Sequence, residues 1–255
     1  MKAFNHSVFD AGRPVEAVHA RWNDNEFQAN FVLDCANSVY HHLMDNVAVG
    51  KPAPIRPFRE IMAHVQGELP ARRTSLIRGL DAMRVKTDFC SHELRAAVLM
   101  MNLAWELDLP RREQLELGMS GLLHDIGKIV VPEAILDKAA ALDADEAVIM
   151  RRHCEDGERL LLGFGVQSAT ILDICRHHHE RCDGSGYPDR LRGDEISRPA
   201  RMAMICDVYD ALTSRRTYKD AWSHSEAIAE MRSQAGQFDT ELLDVFAASL
   251  HCLEG

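Results

Sequence analysis

Apolar residues recurring at helical spacing, segment after segment, constrain this chain more than any other feature. Residues 88–107 keep that spacing with no Gly or Pro, and a second periodic run starts at Pro110 and extends to about Lys128. Spacing by three and four places side chains on one face of a helix, whereas a half-buried strand alternates by two. The punctuation between runs is also that of helices. Asp143 followed by Glu146 has the form of a capping box and opens a helix through Leu162. Ser168 caps a helix carrying Cys175 to Glu180, Pro199 suits the first turn of another, and Ser223 with Glu226 repeats the capping-box pattern. Residues 181–198 hold Asp183-Gly184-Ser185-Gly186, Pro188 and Gly193, and read as a long loop. β-rich runs are nearly absent. The expected fold class is all-α.

Upstream, Val15, Val18, Trp22, Phe31, Val32, Cys35, Val39 and Leu43 keep helical spacing as far as Gly50. The breaker-rich stretch 51–57 reads as a loop, and residues 58–83 are helical again with an interruption near Gly67-Glu68-Leu69-Pro70. No alternation of strand and helix occurs here, which argues against a receiver or nucleotide-binding sheet domain. The expected organisation is a small helical N-terminal module over residues 1–84, of unassigned role, and a helical domain over 85–255. No apolar run approaches the roughly 18–20 residues needed to cross a bilayer, and the first residues lack a secretory pattern. A cytoplasmic protein is expected.

Charge narrows the ligand. Lys and Arg number 29 against 39 Asp and Glu, a formal net charge of −10. That balance argues against a basic face for nucleic-acid polymers or membranes, but not against a small anionic ligand met by a few placed cations. The seven cysteines are odd in number and include no C-x-x-C pair, which disfavours a disulfide framework or thiolate zinc site. Histidine is more informative: six of the 13 lie between positions 92 and 179.

The strongest local signal is Leu122-Leu123-His124-Asp125-Ile126-Gly127-Lys128. Neighbours on a helix diverge by about 100°, so His124 and Asp125 could serve two metals, or one metal and a bridging position. Lys128, four residues after His124, would project from the same face as a cation suited to a phosphate. Taken alone, the doublet reads more simply as a hydrogen bond closing a helix end. It has company, however. His178 and His179 precede Glu180, Asp207 interrupts an apolar run, His92 follows Asp88 by one turn, and His153 precedes Gly157. A carboxylate such as Asp207 is costly to bury unless it is paired or bound to metal. Mixed imidazole and carboxylate donors suit iron, manganese or similar divalent metals.

These motifs in this order resemble the HD-GYP family, a subgroup of the HD superfamily of metal-dependent phosphohydrolases. The resemblance covers roughly residues 85–250. It rests on His124-Asp125-Ile126-Gly127-Lys128, on His153 with Gly157, and on His178-His179-Glu180-Arg181 leading into Asp183-Gly184-Ser185-Gly186-Tyr187-Pro188. It continues through Asp207-Val208-Tyr209-Asp210-Ala211-Leu212-Thr213-Ser214, Arg216, Tyr218, Lys219 and Phe238-Asp239. It implies an HD-superfamily helical bundle that hydrolyses cyclic di-GMP to pGpG and then GMP, with two or three metals, iron or manganese, holding an attacking hydroxide. His92, His124, Asp125, His153, His178, His179 and Asp207 become metal ligands, with Asp125 bridging. His124, Asp125 and Lys128 become the catalytic core. Lys128, Arg216 and Lys219 become phosphate contacts, and Tyr187 lies beside the substrate.

Where some family members have Glu, this chain has Asp88, one methylene shorter. The expectation is a predominantly dinuclear site, with Asp88 either a weak third-metal ligand or an acceptor that orients a ligand histidine. As partners, the resemblance implies diguanylate cyclase (GGDEF) domains docking on the Gly-Tyr-Pro loop, and a homodimer is also expected. Two other readings compete: a slow cyclic di-GMP-binding signalling module, and a phosphodiesterase for another cyclic dinucleotide such as cyclic GMP-AMP. Metals and cations read phosphates, so the ligand set does not separate the nucleotides.

Overall fold

The computed structural model describes residues 25–48, 50–51, 54–82, 89–138, 140–214, 221–234 and 236–251. Among them there is no strand, and helices follow one another from end to end. They are α1 (Asn25–Ala48), α2 (Arg56–Ala82), α3 (Phe89–Glu106), α4 (Arg111–Leu123), α5 (Glu133–Leu136) and α6 (Ala144–Arg151). α7 (His153–Gly163), α8 (Ala169–His177), α9 (Arg198–Thr213), α10 (His224–Ser233) and α11 (Thr240–Ser249) complete the series, with 3-10 turns at Ile126–Val130 and Gly193–Glu195. The all-α expectation holds. The helical spacing of residues 15–24, and Asp88, Arg216 and Lys219, lie outside the described residues.

The capping residues act as their sequence suggested. The Asp143 side chain accepts from the Glu146 N–H while Glu146 returns the bond, and Ser223 and Glu226 do the same for α10. Ser168 caps α8, and Ser197 caps α9 with Pro199 in its first turn. The interruption expected near 67–70 is a kink inside one helix. Pro70 removes an N–H and crowds the preceding turn, and α2 leaves helical geometry at Arg72.

Three helices end earlier than their periodicity suggests. α4 stops at Leu123, not near Lys128, and the chain tightens into a 3-10 turn in which the Lys128 N–H bonds to the Asp125 carbonyl. Lys128 therefore lies against Asp125, not one α-turn along from His124. The helix expected from Asp143 through Leu162 is two helices, with Arg152 between them as the residue that ends α6 and precedes α7. α8 ends at His177, short of Glu180, with His178 closing it.

α3 is the central helix, packed against α1, α2, α4, α9 and α11. It runs so close to α4 that a Cβ on Gly121 would lie 2.4 Å from the Ala97 Cα. One core joins Ala36, Tyr40 and Leu43 of α1 and Phe58, Met62, Val65 and Leu69 of α2 to Leu94, Ala97 and Met101 of α3 and to Met119 and Leu122 of α4. A second core forms under α9, α10 and α11 around Met204, Tyr209, Leu242 and Phe246. The end of α4, the start of α7, the end of α8 and the middle of α9 meet between them. No described helix is long and apolar enough to cross a membrane.

Candidate active site

Asp125 is the centre of the site. It is 1% exposed, and imidazoles from several helices surround it. His153 Nε2 lies 3.2 Å and His178 Nε2 3.5 Å from its Oδ1, while His124 Nε2 lies 3.5 Å and His92 Nε2 3.7 Å from its Oδ2. Two groups of donors each lie within 4.8 Å of one another: Asp125 with His153, His178 and His179, and Asp125 with His92 and His124. Asp125 belongs to both. Asp207, from the middle of α9, sits between them, 3.2 Å from His92 Nε2, 3.9 Å from His124 Nε2 and 3.8 Å from His179 Nδ1.

The local chain fixes which nitrogen faces the centre. His124 Nδ1–H donates to the Gly121 carbonyl at 2.8 Å, and His153 Nδ1–H to that of Met150 at 2.7 Å. His178 Nδ1–H is shared between the Ile174 and Cys175 carbonyls at 3.0 and 3.1 Å. All three imidazoles are thus tied to carbonyls three or four residues back, at points where a helix starts or ends, and Nε2 is the atom turned inward. His92 is held differently, its Nδ1 donating to Asp210 at 2.7 Å, and Arg95 grips the other Asp210 oxygen at 2.6 Å. Asp210 lies in a sequence motif that gave it no role of its own. The signal for it is present, since a second carboxylate three residues after Asp207 on an apolar helix faces the same way.

Electrostatics favour the ligating forms of His124, His179, Asp125 and Asp207, whereas Asp207 and Asp210 raise the pKa of His92 against the effect of burial. Burial pushes the His124 pKa down to about 4, and burial, with His178 beside it, lowers that of His179. Both are neutral imidazoles at neutral pH. Burial disfavours the charged forms of Asp125 and Asp207, but Lys128 and His124 around the first, and His92 around the second, outweigh it and hold both carboxylates well below their usual range. Lys128 pairs with Asp125 and is raised by it against the opposing effect of burial. His124 Nε2 and Asp125 Oδ1 are buried with no hydrogen-bond partner among the described residues. Buried polar atoms are almost always satisfied, and two orphaned acceptors facing one space fit a divalent cation.

The loop after α8 closes one side. Glu180, 1% exposed, accepts from the Asp189 N–H at 2.6 Å and the Leu191 N–H at 3.1 Å. Arg176 and His177 hold the Asp189 carboxylate from beneath. So His177, first of the three consecutive histidines, anchors the loop while His178 and His179 face the centre. Gly186 lets the loop lie flat, since a Cβ there would meet the Arg181 nitrogen at 2.4 Å. The Tyr187 ring then packs on His179 at 4.9 Å, with the Arg151 guanidinium over it at 5.3 Å.

Two further residues at the site gave no sequence signal. Glu93, next to His92, is wholly buried, and neither carboxylate oxygen has a hydrogen-bond partner among the described residues. Tyr40 of α1 is buried too. Burial and then the charge of Glu93 raise its pKa well above the usual value.

The HD domain family model matches residues 72–242. The chain belongs to the HD domain family. The resemblance to its HD-GYP members, read from the sequence, stands alongside that match. The chain is 44% identical over 174 residues to the cyclic di-GMP phosphodiesterase PA4108 of Pseudomonas aeruginosa, covering 67% of this chain and 42% of that one. It is 36% identical over 211 residues to the 3'3'-cGAMP-specific phosphodiesterase 1 of Vibrio cholerae, covering 82% and 47%. Its fold is similar to that of Bd1817, an HDG"Y"P protein from Bdellovibrio bacteriovorus, with a TM-score of 0.74 at 15% identity over 93% of this chain and 76% of that one. The chain spans less than half the length of the two curated relatives. HD domain phosphohydrolases bind divalent metals, and the cluster around Asp125 can hold them.

Proposed function

We propose that this HD domain is a phosphodiesterase that hydrolyses cyclic di-GMP to pGpG and then to GMP. The observation that carries the reading is Asp125, one buried carboxylate shared by two groups of metal-competent donors. Two divalent metals, iron or manganese on the nitrogen and oxygen donor set, would neutralise phosphate charge and lower the pKa of water for attack at phosphorus. His92, His124, Asp125 and Asp207 would hold one, and Asp125, His153, His178 and His179 the other, with Asp88 as an accessory ligand.

The remaining roles belong to the chain itself. Lys128, its side chain one-quarter exposed, keeps its ammonium beside Asp125 and open to a phosphate oxygen. Arg216 and Lys219 supply two more phosphate contacts, and Tyr187 walls the substrate on the loop side. The carbonyl-tied imidazoles keep their donor atoms aimed without rearrangement. The family resemblance adds docking of a diguanylate cyclase (GGDEF) domain on the Gly-Tyr-Pro loop and a homodimer. A second messenger as substrate goes with work in the cytoplasm. We keep residues 1–84 as a helical module ahead of residues 85–255.

The test uses full-length chain purified without oxygen, with metal content and cyclic di-GMP hydrolysis measured together. The double substitution His124→Ala, Asp125→Ala is expected to abolish metal and hydrolysis while the far-ultraviolet circular dichroism stays helical. Hydrolysis at the wild-type rate in that variant would refute the reading. Relatives named as 3'3'-cGAMP-specific phosphodiesterases at 36% and 37% identity support a second reading, cyclic GMP-AMP as substrate. The same assay run on both nucleotides separates the two.

A further inference from the structure

Arg151 is the last residue of α6, two positions before His153, and its side chain is exposed. Other arginines near the site are committed to carboxylates: Arg95 to Asp210, Arg176 to Asp189 and Glu158, Arg181 to Asp183. Arg151 has no carboxylate partner among the described residues. Its guanidinium lies over the Tyr187 ring instead, 5.3 Å from the centroid. Tyr187 in turn leans on His179 at 4.9 Å with a 33° tilt and meets His153 edge-on at 6.5 Å. Arg151 thus stands two ring contacts from the imidazoles around Asp125.

A guanidinium resting on an aromatic face uses that face, not its edge. The contact restrains the planar group and leaves its N–H fork available. A fork of that kind fits two neighbouring acceptors, and guanine offers such a pair in O6 and N7, whereas adenine offers N7 beside a donor amino group. The phosphates already have Lys128 and the Asp125 cluster. Neither of those distinguishes one base from another, so base choice needs a donor pair set away from the metal cluster.

We infer that Arg151, held flat on Tyr187, contacts a guanine edge of the bound cyclic dinucleotide and sets the base preference of the site. The inference rests on the cyclic-dinucleotide reading above. It adds a residue which that reading does not use.

The experiment compares cyclic di-GMP, 3'3'-cyclic GMP-AMP and cyclic di-AMP, measuring kcat/KM for each on metal-loaded full-length chain, with calorimetric binding and metal content alongside. Wild type is expected to prefer cyclic di-GMP over cyclic di-AMP. Arg151→Ala is expected to lower kcat/KM for cyclic di-GMP by about 10- to 100-fold and that for cyclic di-AMP far less, at unchanged metal content, so that the preference collapses. Arg151→Gln replaces two donors by one donor and one acceptor, the pattern that pairs with adenine N6 and N7, and is expected to move the preference toward cyclic di-AMP.

Equal losses on all three nucleotides would make Arg151 a phosphate contact and overturn the inference. A retained cyclic di-GMP preference in Arg151→Gln would reduce the role of Arg151 to packing on Tyr187 and overturn it as well. So would a wild type that cleaves cyclic di-GMP and cyclic di-AMP equally well, and there the phosphodiesterase reading survives. A wild type that neither binds nor cleaves any of the three overturns both.

Discussion

The buried Glu93 carboxyl has its pKa pushed up to about 8, chiefly by burial, with Asp125 adding to the shift and His92 opposing it. A polar group buried without a hydrogen bond costs about 1–3 kcal/mol, and an apolar group of similar size avoids that cost. Glu93→Leu is therefore expected to stabilise the metal-free chain by about 1–3 kcal/mol, seen as a higher melting temperature. A lower one would mean the carboxyl has a partner in the folded chain. Asp210 makes the opposite case, because its two oxygens are fully used by His92 and Arg95. Carboxylates that orient a ligating histidine are typically worth ten- to a hundredfold in metal affinity. Asp210→Asn is expected to weaken metal binding by about that much, measured by competition with a chelator, with the helical content kept. At this scale the donor cluster around Asp125 was legible because histidines and aspartates are rare and costly inside apolar helices. Glu93 was not, since a glutamate early in a helix reads as an ordinary surface charge until the neighbouring helices are in place.

At the scale of elements, the existence of the helices was legible and their ends at the site were not. Periodicity continues smoothly across Leu123–Lys128 and across Arg152, and both sides of each break satisfy one apolar pattern. What decides the breaks is the approach of two elements that are distant in sequence. The 3-10 turn presses against α7 so closely that a Cβ on Gly127 would lie 1.9 Å from the His153 carbonyl oxygen and 2.6 Å from the Gly157 nitrogen. Backbone atoms have nowhere to go there, whereas a flexible side chain could swing aside. Gly127→Ala is expected to cost at least the roughly 1–3 kcal/mol of ordinary overpacking. It should also lower metal content, because the same contact sets the spacing of Asp125 and His153. A calorimetric melt and metal analysis of one sample check both, and a fully loaded, wild-type-stable variant would contradict the argument.

Across the whole molecule, a linear pattern does not tell which helices share a core. The proposed module over residues 1–84 does not stand apart in packing, since its α1 and α2 bury Tyr40, Leu43, Phe58, Met62 and Leu69 in the same core as α3 and α4. Each such side chain contributes about 1.5–3 kcal/mol on burial, against a total stability of about 5–15 kcal/mol for a typical domain. A chain lacking residues 1–82 is accordingly expected to lose cooperative unfolding and to aggregate. A sharp melt near the wild-type temperature would show that the rest is self-sufficient. The buried Tyr40 has one more consequence. Its ring meets Phe58 of α2 edge-on at 4.8 Å, so α1 is pinned to α2 where both enter the shared core. Any signal that lifts α1 would therefore expose that core to water and act on the site through the stability of the fold.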